Sequence, residues 1–124
     1  MGKTKALIIT DGSETINSIA NSIKDALKEV KVKIVDAKNF EGNEILPVDY
    51  FILGCEKPSP SSFAYLEELL SHINLVSRKC CIFSVNENSI SYLKGIAADC
   101  EAEIKEPYLI EKGNFDKSKI KNWI

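Results

Sequence analysis

Apolar positions fall into five short runs separated by stretches with a helical period. The runs are Ala6 to Thr10, Val30 to Val35, Tyr50 to Gly54, Cys80 to Val85 and roughly Glu103 to Ile110. The first, third and fourth are almost continuously apolar, the mark of strands buried on both faces in the middle of a helix-covered sheet. The second alternates Val30, Val32 and Ile34 with Lys31 and Lys33, which suits an edge strand. The fifth contains Pro107, which cannot donate to a ladder and is tolerated at an edge. Three central strands flanked by these two edges predict a five-stranded parallel sheet of order 2-1-3-4-5, a doubly wound α/β sandwich of three layers.

The intervening segments carry one-sided apolar stripes. Ile16, Ile19, Ala20, Ile23 and Leu27 form one, and Phe63, Leu66, Leu69, Leu70, Ile73 and Val76 a second. Ile90, Leu93, Ile96, Ala97 and Cys100 form a third, and Ile120, Trp123 and Ile124 a short last one. Ser59-Pro60 has the pattern of an N-cap followed by proline at the first helical position. Ala37 to Pro47 has room only for a short or irregular helix. Right-handed crossovers place the first helix and the helix after strand three on opposite faces. A crevice then opens at the carboxyl ends of strands one and three, where Thr10–Thr15, Cys55–Ser62 and Ser84–Tyr92 meet.

The 124 residues predict a single domain spanning 1–124. A net charge of −2 argues against a nucleic-acid partner. No apolar run reaches the length of a membrane span, and the four cysteines sit in apolar runs, so a cytoplasmic location is expected. Cys80 and Cys81 are adjacent in a strand and face opposite sides, so they cannot share a metal, and no C-x-x-C is present. Cys55 is the cysteine expected to look towards the crevice. His72 reads as a surface residue with no Ser–His–Asp set around it. Gly2-Lys3-Thr4 precedes strand one instead of following it, which removes it as a phosphate loop. Gly12 and Asp36 make only a chance imitation of a dinucleotide fingerprint. No catalytic residue and no metal ligand is singled out.

Over nearly its full length the chain resembles the flavodoxins. The residues that carry this are Leu7-Ile8-Ile9-Thr10-Asp11-Gly12-Ser13-Glu14-Thr15, Asp49-Tyr50-Phe51-Ile52-Leu53-Gly54-Cys55, Cys81-Ile82-Phe83-Ser84-Val85-Asn86-Glu87-Asn88-Ser89, Ala102-Glu103-Ile104 and Trp123. The resemblance implies a flavodoxin-like fold, non-covalent FMN and electron transfer between redox partner proteins, a carrier more than an enzyme. It also implies a phosphate-holding first loop of pattern Ser/Thr-x-Thr-Gly-x-Thr and aromatic residues of the second and third loops stacked on the flavin.

Carried over position by position, Thr10 and Thr15 are the outer hydroxyls, Gly12 stands at the central threonine and Ser13 at the glycine. Asp11 and Glu14 add negative charge beside the phosphate. Pro58 stands where many flavodoxins have tryptophan, and Ile90 where they have the stacking tyrosine, with Tyr92 two residues on. The implied cofactor site is thus Thr10, Asp11, Gly12, Ser13, Glu14, Thr15, Pro58, Ser59, Asn86, Asn88 and Ile90, with a degenerate phosphate loop and no aromatic platform. Two readings stay open: an FMN-binding electron carrier with a weakened site, or a flavodoxin-fold module that has lost FMN and binds a protein partner or another anion. A third is one subunit of a larger flavoprotein whose partner supplies the missing aromatic ring.

Overall fold

The structure is a computed structural model and describes residues 4–105, 108–110, 117–120 and 123. Strand β1, Thr4–Thr10, leads into helix α1, Glu14–Ala26, and β2, Val30–Asp36. Next come β3, Tyr50–Gly54, α2, Ala64–His72, β4, Lys79–Ser84, and α3, Glu87–Asp99. Two short pieces close the sheet: β5, Glu103–Ile104, and β6, Leu109–Ile110.

The strand order is β2-β1-β3-β4-β5, every pairing is parallel, and β6 also lies on β4. Glu103 and Ile104 sit against Lys79 and Cys80, and Leu109 and Ile110 against Phe83 and Ser84. The two pieces together take the fifth-strand position. The expected continuous strand from Glu103 to Ile110 is therefore interrupted, and Glu106 and Pro107, between its halves, lie outside the described residues. The result is the flavodoxin-like sandwich that the apolar pattern predicts.

Period-2 side-chain alternation divides the core into two layers. Leu7, Ile9, Phe51, Leu53, Cys80 and Ile82 face α2 and α3. Ala6, Ile8, Ile52, Cys81 and Phe83 face α1 and the C-terminal Trp123. Cys80 and Cys81 do point to opposite layers. Helix α1 buries Ile16, Ile19, Ala20 and Ile23, and each fully buried isoleucine contributes about 1.5–3 kcal/mol of transfer free energy. Trp123 is completely buried and Ile120 nearly so, closing the same layer. The last turn over Lys117–Ile120 is a 3₁₀ turn, and Ile124 is outside the described residues.

Two local expectations change. The second stripe ends early: α2 stops at His72, Ile73 is extended, and Val76 is 67% exposed. Ser59 does not cap a helix; it takes a positive φ of 50°, and the 3₁₀ turn Ser61–Phe63 starts behind Pro60. The connection from β2 to β3 contains 3₁₀ turns at Ala37–Asn39 and Gly42–Glu44, in keeping with the short or irregular helix expected there. This thin cover leaves a cavity of about 290 Å³ over β1 and β2, lined in part by Leu7, Lys31, Lys33, Pro47 and Val48.

Candidate functional site

The carboxyl edge of the sheet brings three loops together, and hydrogen bonds tie them. β1 ends at Thr10, which is buried; its hydroxyl donates to Asn17 Oδ1 at 2.7 Å and accepts the Gly12 N–H at 3.3 Å. That hydroxyl therefore turns into the protein. Gly12 has φ +84°, and a Cβ at this position would run into the Asp36 carboxylate. Glycine is needed here for both its backbone angle and the close approach. Ser13 caps α1, its hydroxyl oxygen accepting the Ile16 N–H at 3.3 Å.

Asp11 occupies the middle of this loop. Its Oδ1 accepts the Ser13 N–H at 3.0 Å and the Ser13 hydroxyl at 2.7 Å. Its Oδ2 reaches the second loop and accepts the Glu56 N–H at 2.8 Å. Hydrogen bonds to an ionised acceptor contribute about 1.5–3 kcal/mol each, so this carboxylate holds two loops in register. Among the described residues no ion pair compensates it. Asp36 lies across Gly12, with Lys38 Nζ 3.9 Å from its Oδ2. Glu14, in the first turn of α1, is exposed, and so is Thr15.

The third loop clamps the second from the other side. Asn86 caps α3 through its Oδ1, which accepts the Ser89 N–H at 2.8 Å. Its Nδ2 donates to the Glu56 carbonyl at 2.6 Å, and the Ser89 hydroxyl donates to the same carbonyl at 3.0 Å. The Ser84 hydroxyl donates to the Cys55 carbonyl at 2.6 Å. Pro58, Ser59 and Asn88 are exposed along the rim. Ile90 is buried among the α2–α3 core residues, so it does not offer an open face to a ring. Tyr92 is partly buried, its ring 6.3 Å from that of Phe63.

Cys55 is fully buried in the same core layer and does not look into the crevice. Burial, with a smaller effect of the Asp11 charge, pushes its thiol up to about 12 against a partly opposing hydrogen bond with Ser89. Burial also raises Tyr92, helped by the charge of Glu67. Neither group is activated at neutral pH. His72 lies on the surface in the last turn of α2. No group of three or more potential metal ligands is found among the described residues.

Every one of the eleven expected site residues from Thr10 to Ile90 belongs to one of these three loops or the element it opens. Four residues beyond these eleven also tie the site: Glu56, Ser84 and Ser89, inside the loops expected to meet, and Asn17, outside them. Asn86-x-x-Ser89 has the spacing of an N-cap and the amide it satisfies, a signal readable beforehand. Nothing local to Asn17, seven residues beyond Thr10, marks it as that hydroxyl's partner.

No protein-family model matches the chain, and no curated protein matches it. Solved structures do. A flavodoxin 2 from Bacillus cereus superposes with a TM-score of 0.78 at 23% identity, covering 96% of this chain and 94% of that one. A Streptococcus pneumoniae TIGR4 flavodoxin gives 0.77 at 13% identity, covering 97% and 92%. A Fusobacterium nucleatum flavodoxin variant, bound to flavin mononucleotide, gives 0.70 at 17% identity, covering 88% and 74%. The fold is flavodoxin-like; identities this low establish the fold alone.

In the arrangement seen, Asp11 takes three donors that a phosphate at the first loop would compete for. The Ser13 amide, the Ser13 hydroxyl and the Glu56 amide are already spent on Asp11. A dianion would displace a carboxylate from these donors and then stand beside it, with Asp36 at its back.

Proposed function

We propose that this protein is a flavodoxin-type, flavin-binding electron carrier whose hold on the phosphate end of FMN is weakened. The observation that supports this best is the convergence of three cross-tied loops at the carboxyl edge of β1 and β3, on a fold shared with flavodoxins. An exposed rim at Pro58, Ser59 and Asn88 leaves a bound ring within reach of a partner. The flavin would supply the redox chemistry; the chain's own residues bind it, orient it and limit water around it. Its partners would be redox proteins that dock on this rim.

The Asp11 carboxylate favours a second reading, a flavodoxin-fold module that has given up FMN and uses the crevice for a protein. Visible absorption of the freshly purified protein, followed by flavin titration with fluorescence detection, separates the two. A yellow protein, or fluorescence quenched at about micromolar flavin, a binding free energy near −8 kcal/mol, supports the carrier. A colourless protein that quenches no flavin leaves the second reading.

A further inference from the structure

We propose that the crevice selects a flavin lacking its terminal phosphate, riboflavin in preference to FMN, and that Asp11 makes that selection. The proposal rests on the flavin reading above and deepens it by naming the ligand class.

Three donors beside the first loop are turned onto the chain's own carboxylate. Oδ1 of Asp11 holds both the amide and the hydroxyl of Ser13, and Oδ2 holds the amide of Glu56 across 45 positions of sequence. The carboxylate thus plays, inside the protein, the part an external anion plays in an open anion-binding loop. It cannot easily leave, because Oδ2 is also what ties the second loop to the first. Asp36 lies where a Cβ of Gly12 would stand, which puts a second carboxylate against the loop.

A hydroxyl end meets different conditions. An ionised carboxylate only accepts, and Oδ2 keeps acceptor capacity beyond its one bond to Glu56. A ribityl hydroxyl can donate to it; a phosphate dianion cannot. The same charge that repels FMN therefore offers riboflavin a partner.

The test is equilibrium titration of the full chain with riboflavin and with FMN, followed by flavin fluorescence, for wild type and Asp11→Asn. The substitution keeps the size and one acceptor oxygen and removes the charge. Wild type is expected to bind riboflavin at least about tenfold more tightly than FMN. In Asp11→Asn, FMN affinity should rise about tenfold and riboflavin affinity should fall about threefold or more, since the carboxylate that accepts its ribityl hydroxyl is gone. Riboflavin binding by wild type should also be unchanged by about 10 mM inorganic phosphate, since a phosphate that bound the loop would shift the apparent affinity by linkage.

FMN bound as tightly as riboflavin by wild type overturns the selectivity and leaves the flavin reading standing. A riboflavin preference that Asp11→Asn does not reduce overturns the role given to Asp11. Neither flavin bound by wild type removes the flavin reading, and this proposal with it. Should Asp11→Asn fail to fold, the wild-type ratio and the phosphate competition still decide the selectivity.

Discussion

At Gly12 two demands meet on one residue, a φ of +84° and a neighbouring carboxylate where a Cβ would stand. Gly12→Ala is expected to cost about 1–3 kcal/mol, read as a lowered midpoint in urea unfolding, because the backbone is strained and Asp36 must give way. Asp36 cannot move freely: its Oδ1 accepts the Lys38 N–H at 3.1 Å and caps the next turn. The cysteines give a second prediction at this scale. All four are free and buried, and burial raises the thiols of Cys55, Cys80, Cys81 and Cys100 above the ordinary value of 9.0. Native protein at pH 8 should therefore react with Ellman's reagent far more slowly than denatured protein, which should release four equivalents. Fast labelling of one native cysteine would show an opening that this packing does not contain. Gly12 as a glycine and the cysteines as apolar residues were legible in the sequence. The direction of the Asp11 side chain was not, since its decisive partner lies in another loop.

Helices and strands form where the apolar period is strong, and their ends are set by contacts the period does not encode. β3 occupies the expected Tyr50–Gly54, because a continuous apolar run between polar turns leaves little freedom. Gly54 ends it for a packing reason: a Cβ there would enter the Phe83 ring of β4. Gly54→Ala should overpack this contact and lower stability by about 1–3 kcal/mol, measured by thermal unfolding. Asn86 joins two tasks at the start of α3, capping Ser89 and holding the Glu56 carbonyl. Asn86→Ala is expected to cost about 1–3 kcal/mol, more than a plain cap at the low end of its range, and Asn86→Asp should recover only the capping share. Denaturation midpoints of the three proteins check this. The early end of α2 was not legible, because Ile73 and Val76 continue its spacing although the chain has already turned extended towards Leu75, whose N–H bonds to Cys100.

For the molecule as a whole, coverage of the sheet is uneven. The α1 face is sealed by Trp123, and Trp123→Ala should cost about 3–5 kcal/mol, enough to shift thermal unfolding by many degrees. Among the described residues, the opposite face is covered over β2 only by 3₁₀ turns, held in part by Lys33 Nζ bonding to Glu44 Oε2 at 2.7 Å. That hydrogen bond, first among the causes, lowers the Glu44 carboxyl below the ordinary 4.5. Because the folded value is the lower one, the stabilisation is complete above pH 4.5 and disappears as pH falls through the lowered value. Lys33 is 68% exposed, so the effect should stay below about 1 kcal/mol. Urea midpoints of wild type and Glu44→Gln between pH 7 and pH 3 should converge at the acid end.

The sheet order, the two-layer core and the meeting of the three loops at the carboxyl edge of the sheet were determined by the sequence alone. Each follows from periodicity along a few neighbouring residues and from the handedness of crossovers, which any chain of this pattern must obey. The state of the crevice was decided only in three dimensions. Whether Asp11 faces solvent or turns inward depends on the Glu56 amide, whether Thr10 offers its hydroxyl depends on Asn17, and whether Ile90 meets a ligand or the core depends on how α3 seats against α2. Such choices are made between groups distant in sequence, where no local period carries the information.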